Sequence, residues 1–466
     1  SVTMPSSASL GGGGVCVVHD NPSATTKTVD FLARAPPAPR AGAARPSAIP
    51  GNPRGFFDLH SKYGRLRWEQ LISPAENKAR FGFQVSRAFA HDLAAVEQAL
   101  VAETEARRIF GRAGGTGLVG EGDFLIQTDL AAVLGRMRSL KPGDFYSGKF
   151  SHQMTAAVNE AGGTLRAEDL RRYFPIWRDT IQIPFANRIA HFAPPPAAAG
   201  GVAAEIWAML AHDDLYEDAG EAERIHLFLE AAMRAFADRG QWLRADGTSA
   251  AAAAQLASEE RITSLMASYM SDRHLPAAQL KPAPISRPEN PAATSFVVID
   301  RQGSAVACAL TMNNLFGTGR IARGTGIFLA ALPGQGGRGP MSLGPMVVVN
   351  HNINALLFAG AASGGVAAPT AMTGVAARVL IGEQPLEAAI AAKRVHHSGD
   401  PDLTYFERGL GEAAIQDLTR RGHQSAATAP MGVLNAASCP GGIPYQPESC
   451  VVRVDPRGFG LAVSAD

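Results

Sequence analysis

The stretch ATSFVVIDRQGSAVACALTMN, residues 293–313, decides the fold. Two runs of β-branched and small apolar residues, TSFVVID and AVACALTM, are joined by RQGS, a turn whose length and glycine are typical of a β-hairpin. If the turn centres near Gln302 and Gly303, Thr311 lies across the ladder from positions 293 and 294. The pattern predicts an antiparallel hairpin with hydroxyl side chains at its open end.

The organisation on either side of this hairpin differs. Upstream, a short hairpin is predicted from Val15 to Phe31, and helical patterns dominate from about Trp68 to Leu243. A proline-punctuated linker, KPAPISRPENPAA, ends near residue 292. Downstream, strand runs alternate with helices predicted from Pro369 to Leu380 and from Leu386 to Lys393. We therefore predict an α-rich part, residues 1–292, and a mixed part, residues 293–466.

Length and composition limit the classes of function. The 466 residues are 46% hydrophobic and 18% charged, which is enough for a large buried core. A net charge of +1 gives no electrostatic reason to expect nucleic acid or an anionic membrane as a partner, and no apolar run is long enough to span a bilayer. The chain begins abruptly in a strand-like run, so we expect a missing leading segment, which could include an export signal. The compartment, periplasm or cytoplasm of a bacterium, stays open.

Cysteine and histidine spacing offers little chemistry. Cys16 and Cys308 lie in apolar strand-like runs and are interpreted as small buried hydrophobes. A disulfide between Cys439 and Cys450, which flank the loop CPGGIPYQPESC, stays an open alternative. The neighbouring His396 and His397 would point apart on a helix, and no set of ligands has metal-site spacing, so neither a metal nor an organic cofactor is expected.

Several ordered blocks resemble one enzyme family. They include MPSSASLGGGGVCVVHD, AIPGNPRGFFDLHSKYGRLRWEQLISPA, GDFYSGKFSHQMTAAVNEAGGTLRAEDLRRY, the hairpin itself, AASGGVAAPTA and VDPRGFGLAV. Together they resemble the gamma-glutamyltransferases of the N-terminal-nucleophile hydrolase superfamily over nearly the whole chain. The resemblance implies a four-layer αββα sandwich with a helical subdomain. It also implies an autoprocessed amidohydrolase or acyltransferase that acts through an acyl-threonine on small-molecule gamma-glutamyl or related amides, with its own cleaved fragment as heterodimer partner.

The resemblance also implies a nucleophile at the start of the hairpin. In the family, a threonine cuts the preceding peptide bond and then carries both the hydroxyl nucleophile and an α-amino base. Alignment without a gap places Ala293 at that position, and Thr294 follows it. Three alternatives stay open: Thr294 serves after a local shift, a Thr-to-Ala replacement traps the precursor, or the chain is a naturally inactive homologue.

Further site residues follow from the same resemblance. Thr311 and Asn313 match the family residues that hydrogen-bond the nucleophile and the substrate carboxylate. Gly364 and Gly365 match the paired glycines whose N–H groups hold the oxyanion, a role that suits glycine because no side chain blocks the substrate. We expect these N–H groups to face the side chain at 293 or 294.

Substrate-binding positions depart from the family pattern. The arginine for the glutamyl carboxylate is matched by Leu32, whereas Arg34 lies two residues farther along the same predicted strand. Gln335 replaces an acidic partner of the substrate ammonium, and Ser342, followed by Leu343, matches one of a serine pair. These changes make glutathione a doubtful substrate. The alternatives are an acylase for a different amide, favoured by Leu32 and Gln335, and an uncleaved non-enzymatic homologue, favoured by Ala293.

Overall fold

The computed structural model describes residues 1–37, 43–244, 247–282, 292–334 and 342–464. The strands in these ranges are, in chain order, β1 (Gly13–Asp20), β2 (Thr25–Phe31), β3 (Phe83–Gln84), β4 (Phe124–Leu125), β5 (Ile176–Asp179), β6 (Ile181–Phe185), β7 (Arg188–Phe192), β8 (Ala293–Ile299), β9 (Ala305–Thr311), β10 (Ile321–Ala322), β11 (Ile327–Phe328), β12 (Met346–Asn350), β13 (Ala355–Ser363), β14 (Val395–His396), β15 (Thr404–Glu407), β16 (Ser425–Thr428), β17 (Val433–Ile443) and β18 (Val451–Val454).

The α-helices in the same ranges are α1 (Pro5–Ala8), α2 (Asn52–Tyr63), α3 (Trp68–Phe81), α4 (Arg87–Ala95), α5 (Glu97–Val101), α6 (Thr104–Phe110), α7 (Thr128–Leu140), α8 (Gly143–Ser147), α9 (Lys149–Glu160), α10 (Ala167–Arg172), α11 (Ala198–Ala211), α12 (Leu215–Asp218), α13 (Glu221–Trp242), α14 (Glu259–Met266), α15 (Ala368–Leu380), α16 (Leu386–Ala391) and α17 (Glu412–Arg420). None of these helices is long and apolar enough to cross a membrane.

Two antiparallel sheets form the centre of the fold. One has the strand order β5-β2-β1-β9-β8, and the other has the order β18-β17-β13-β12-β7-β6. Their inner faces pack through small and β-branched side chains, among them Val15, Ala307, Val347 and Ala359. Small residues allow the sheets to approach closely, so the layer between them is a tightly packed apolar core that holds the strands in place.

Helices cover both outer faces. Phe56 and Tyr63 of α2 pack in a cluster with Val29 and Phe31 of the first sheet. Helices α11, α13 and α15 cover the second sheet through a larger apolar cluster around Trp207. Helices α3 to α10 form a helical subdomain with its own core. The four-layer αββα sandwich expected from the resemblance is confirmed.

The predicted hairpins are confirmed in detail. Ala293 pairs with Thr311 and Ile299 pairs with Ala305, without a bulge between them. Strands β1 and β2 pair from Gly14 opposite Phe31 to Asp20 opposite Thr25. Because β1 also pairs with β9, and β7 pairs with β12, both sheets contain strands from before and after residue 292.

Three interpretations of the sequence need correction, and one open alternative is decided. Cys16 and Cys308 are buried as expected but form a disulfide, because they lie directly opposite each other on β1 and β9. His396 lies in strand β14, not on a helix, and helix α16 ends at Ala391, before Lys393. The second disulfide, Cys439–Cys450, is present.

Candidate active site

The open end of the β8–β9 hairpin positions a peptide carbonyl beside a hydroxyl. The Thr311 Oγ1 atom donates a hydrogen bond to the carbonyl oxygen of Ala292 at 2.8 Å, and it accepts one from the Asn313 N–H at 2.9 Å. Since the Asn313 N–H occupies a lone pair of the hydroxyl, the hydroxyl proton points at the Ala292 oxygen. The peptide bond between Ala292 and Ala293 is therefore held and polarised by a buried donor.

Strand alternation separates the two candidate nucleophile positions. Ala293 and Val297 pack into the core between the sheets, and Ser295 Oγ donates to Ala361 O of the opposite sheet at 2.7 Å. Phe296 packs in the cluster on the outer face of the same sheet. Because side chains alternate along a strand, Thr294 shares the outer face with Phe296, whereas residue 293 shares the inner face with Thr311.

The matched glycine pair begins immediately after β13. Gly364 has a φ of 122° and Gly365 a φ of 65°, a region that side chains rarely adopt. A Cβ atom on Gly364 would lie 2.5 Å from the Cα of Gly432, so only glycine fits. The positive φ angles and the close contact explain why glycine stands at position 364. That both N–H groups face residue 293 stays a prediction.

The prediction that Arg34 lies on the strand is wrong. Strand β2 ends at Phe31, so Arg34 lies in the segment that follows it. Its guanidinium donates to Phe174 O at 2.9 Å and to the Asp30 carboxylate at 3.2 Å. Leu32 is 3% exposed and packs in the core between the sheets, in the same cluster as Ala293. The position that matches the family arginine is therefore apolar and almost fully buried.

A cavity of about 710 Å³ lies beside this segment. It is lined by Asp30, Leu32, Ala33, Arg34, Ala35, Arg178, Asp179, Pro194, Pro195, Pro196, Gly247, Thr248, Ser249, Ala251, Ala253, Pro333 and Gly334. Asn313 connects it to the hairpin, because its Nδ2 donates to Ala33 O at 3.3 Å and to Ala331 O at 2.9 Å. Asn313 therefore contacts both Thr311 and the cavity-lining residue Ala33.

The structure describes only some of the remaining predicted substrate-binding residues. Ser342 is buried, and Leu343 belongs to the core between the sheets. Gln335 lies outside the described residues. Sequence reasoning missed Arg178, whose side chain reaches Asp30 from β5 at 3.0 Å. A short strand inside a helical region has no local signal that would relate it to β2.

Among the described residues, two clusters of possible metal ligands come from elements other than the hairpin. One consists of His226, Glu230 and His423, and the other of His274, His397 and Asp402. Sequence spacing missed them because one member of each is distant in the chain: His423 joins His226 and Glu230 of α13, and His274 joins His397 and Asp402. His226 Nε2 lies 2.9 Å from Met270 O, so it is the donor, and its Nδ1 is the acceptor for His423 Nε2 at 2.8 Å. These contacts engage both nitrogens of His226.

Two antiparallel sheets covered on both outer faces by helices form the four-layer architecture of the N-terminal-nucleophile hydrolases. A family model described as gamma-glutamyltranspeptidase matches residues 1–332 and 333–463. The chain therefore belongs to the gamma-glutamyltranspeptidase family, and it is a gamma-glutamyltransferase-like hydrolase whose class acts on small-molecule amides.

Named relatives agree with this assignment. The chain is 27% identical to the glutathione hydrolase proenzyme of Escherichia coli, over 93% of this chain and 81% of that one. It is 27% identical to the corresponding Pseudomonas aeruginosa protein, over 87% and 78% of the two chains. A cephalosporin acylase from Bacillus halodurans has the same fold, with a TM-score of 0.84, 20% identity and coverage of 100% and 89%.

Proposed function

We propose that position 293 is the nucleophile position of a site built to hydrolyse or transfer the acyl group of a small-molecule amide, and that Ala293, which has no hydroxyl, arrests this chain before self-cleavage. The observation that carries the proposal is the 2.8 Å hydrogen bond from Thr311 to the carbonyl of Ala292. It supports a scissile bond between residues 292 and 293. A methyl group at 293 offers no nucleophile.

The proposed reaction starts once a threonine stands at position 293. Its hydroxyl attacks the Ala292 carbonyl carbon, and the C–N bond breaks as the amine takes up the hydroxyl proton. That bond cleavage frees the α-amino group of residue 293, and water then hydrolyses the resulting ester, which releases Ala292 as a carboxylate and restores the threonine hydroxyl. In turnover, that amine accepts the hydroxyl proton during attack on the substrate amide and returns it to the leaving amine. Gly364 and Gly365 would hold the oxyanion, and the two fragments would stay together as a heterodimer.

Within this reaction, a second candidate substrate class has its own support. The core position Leu32 and the proline-lined cavity favour an amide other than glutathione. A non-enzymatic role for the uncleaved chain is the third candidate, supported by Ala293 alone.

Activity of an Ala293→Thr variant tests the proposal. We expect this variant to release amine from an amide substrate panel that contains gamma-glutamyl anilide and longer acyl anilides, whereas the unsubstituted chain stays inactive. A matched variant carries Ala293→Thr together with Thr294→Ala and should retain activity. An unsubstituted chain that turns over the panel, and loses this activity with Thr294→Ala, would assign the nucleophile to Thr294 instead.

A further inference from the structure

Two sets of side-chain hydrogen bonds join the two sheets near opposite ends of β13. Just before its start, Asn354 Nδ2 donates to Asn21 O at 2.6 Å, and Asn21 Nδ2 donates to Asn354 O at 2.7 Å. Near its end, Ser295 Oγ of β8 donates to Ala361 O at 2.7 Å. Asn435 takes part in this second set, and we call the contacts of Ser295, Ala361 and Asn435 the Ser295–Asn435 bridge.

Asn435 completes the Ser295–Asn435 bridge from a neighbouring strand. It lies on β17 directly opposite Ala361 of β13. Its Nδ2 donates to Ser295 O at 2.9 Å and to Ser295 Oγ at 3.0 Å. The Ser295 hydroxyl is therefore engaged on both sides, because its proton goes to Ala361 O and a lone pair accepts from Asn435. The backbone and the side chain of one residue of β8 are thus held by two strands of the second sheet.

The Ser295–Asn435 bridge lies close in sequence to both groups that the proposed reaction must bring together. Residue 293 is two positions before Ser295 on β8, which is roughly 7 Å along the strand. Gly364 follows the last residue of β13 and is three positions after Ala361. Among the described strands, β8 is an edge strand with β9 as its partner. The bridge therefore fixes this edge relative to the end of β13.

Self-cleavage would increase the importance of these contacts. While the peptide bond between residues 292 and 293 is intact, the chain holds residue 293 from both sides. After the cut, residue 293 is a chain end, and chain ends are poorly ordered unless contacts hold them. A displacement of about 1 Å at a reacting group can lower a rate about 100-fold. The contacts of Ser295 would then determine how steadily residue 293 is held.

We infer that Ser295 and Asn435 are positioning residues, which set the distance between a nucleophile at residue 293 and the N–H groups of Gly364 and Gly365. This inference rests on the proposed function, because that function places the nucleophile at residue 293. Both residues act through the backbone of β8 and not through contact with a substrate. Their removal should therefore slow the reaction while the sheets stay paired.

Self-cleavage of chains that carry Ala293→Thr tests the inference. An added Asn435→Ala removes both bonds that Nδ2 donates, and we expect cleavage to be at least about 10-fold slower than in the parent Ala293→Thr chain. An added Ser295→Ala should have an effect of similar size. The rates are measured by denaturing electrophoresis with reductant, because the Cys16–Cys308 disulfide otherwise joins the fragments.

Asn354→Ala is the matched control, because it also removes an amide donor that bonds from one sheet to the other. We expect its cleavage rate to stay within about 2-fold of the parent rate, since sites far apart act independently. Chemical denaturation of the same substitutions in the uncleaved chain compares their free energies of unfolding. Ser295→Thr retains the hydroxyl, so it should cleave faster than Ser295→Ala, and it keeps the test available if an alanine variant fails to fold.

Equal cleavage rates in the Asn435→Ala variant and the parent chain would overturn the inference. So would equal slowing by Asn435→Ala and Asn354→Ala at equal loss of stability, because that result would show a general effect of stability. Failure of the proposed function would remove this inference as well, but it appears differently, as a parent Ala293→Thr chain that stays intact.

Discussion

The Thr311 hydroxyl is the group on which self-cleavage most depends. In an Ala293→Thr background, we expect Thr311→Val to slow cleavage about 100-fold, because removal of one pre-positioned donor to a developing oxyanion typically costs that much. The rate is measured by denaturing electrophoresis over time. Thr373→Val is the matched control, since Thr373 is also buried and donates to a backbone carbonyl, Pro369 O, at 2.8 Å. Equal rates in the two variants would contradict this role.

Gly364 is predicted to be intolerant of any side chain. Gly364→Ala should lower the free energy of unfolding by about 2 to 4 kcal/mol, because it combines strain at a φ of 122° with an overlap against Gly432. Gly411→Ala separates the two causes. Gly411 has a φ of 103°, but a Cβ atom added to it would meet no described atom within 4 Å, so only about 1 kcal/mol should be lost. Chemical denaturation measures both, and equal losses would remove the steric explanation.

Leu32 bears on substrate choice. For the Ala293→Thr variant, we expect kcat/KM on glutathione to be at least about 30-fold below that on the best of the longer acyl anilides in the substrate panel. A missing charge contact at a partly desolvated site is worth roughly 2 to 5 kcal/mol. Steady-state hydrolysis of both substrates gives the ratio. Comparable efficiencies would show that another group recognises the glutamyl carboxylate.

At the scale of elements, local patterns predicted what local interactions determine. The β8–β9 hairpin follows from two strand runs and a short turn, and α13 follows from an apolar face at helical spacing. Pairing between distant strands has no such signal. The partnership of β5 with β2 brings Arg178 to Asp30, and the partnership of β1 with β9 brings Cys16 to Cys308, 292 residues apart in sequence. Because strand pairing over such distances leaves no local pattern, the sequence predicted neither the Arg178–Asp30 contact nor the Cys16–Cys308 disulfide.

The Cys16–Cys308 disulfide has a consequence for processing. Cleavage after Ala292 would leave Cys16 on one fragment and Cys308 on the other, still joined covalently. We expect a cleaved Ala293→Thr variant to run as two bands under reducing conditions and as one band without reductant. Replacement of Cys16 and Cys308 by alanine should give two bands under both conditions. Replacement of Cys439 and Cys450, which both follow the cut, should still give one band without reductant. Two bands from that variant without reductant would contradict the assignment of the linkage to Cys16–Cys308.

For the whole molecule, the two predicted parts are interlocked. Both sheets mix strands from either side of residue 292, and a partly buried network adds polar contacts. His274 lies 2.6 Å from Glu230 and 3.0 Å from Asp402, which bridges α13 to the loop before β15. The resemblance of ordered blocks was sufficient to predict the αββα sandwich, because packed sheets and helices keep their arrangement through many sequence changes. It was not sufficient for the substrate, because single side chains such as Leu32 decide that.

Buried histidines should make stability fall in acid. Burial lowers the pKa of five of them well below 6.5: His19 and His397 to about 4, and His191, His396 and His423 to about 3. Below pH 6.5 these histidines take up protons in the unfolded chain but stay neutral in the folded chain. Each of them therefore lowers the free energy of unfolding by about 1.4 kcal/mol for every pH unit below 6.5.

His274 acts in the opposite direction. Burial alone would lower its pKa, but the hydrogen bonds and charges of Glu230 and Asp402 outweigh burial and raise it. Its contribution is present below pH 6.5 and is lost as pH rises, and one such group does not offset five. We expect the free energy of unfolding to drop by several kcal/mol between about pH 6.5 and 5. His396→Asn, which preserves the contact to Thr370, should flatten the slope by one group. A flat profile in the unsubstituted chain would contradict the prediction.

The identity of residue 293 is tested most directly by intact mass and N-terminal sequencing of purified chains. We predict that the unsubstituted chain is uncut between residues 292 and 293. The Ala293→Thr variant should yield two fragments, the second beginning Thr-Thr-Ser-Phe, and should still do so when Thr294 is replaced by alanine. A fragment beginning Thr-Ser-Phe from the unsubstituted chain would contradict the account, because it would place the nucleophile at Thr294 and the cut after Ala293.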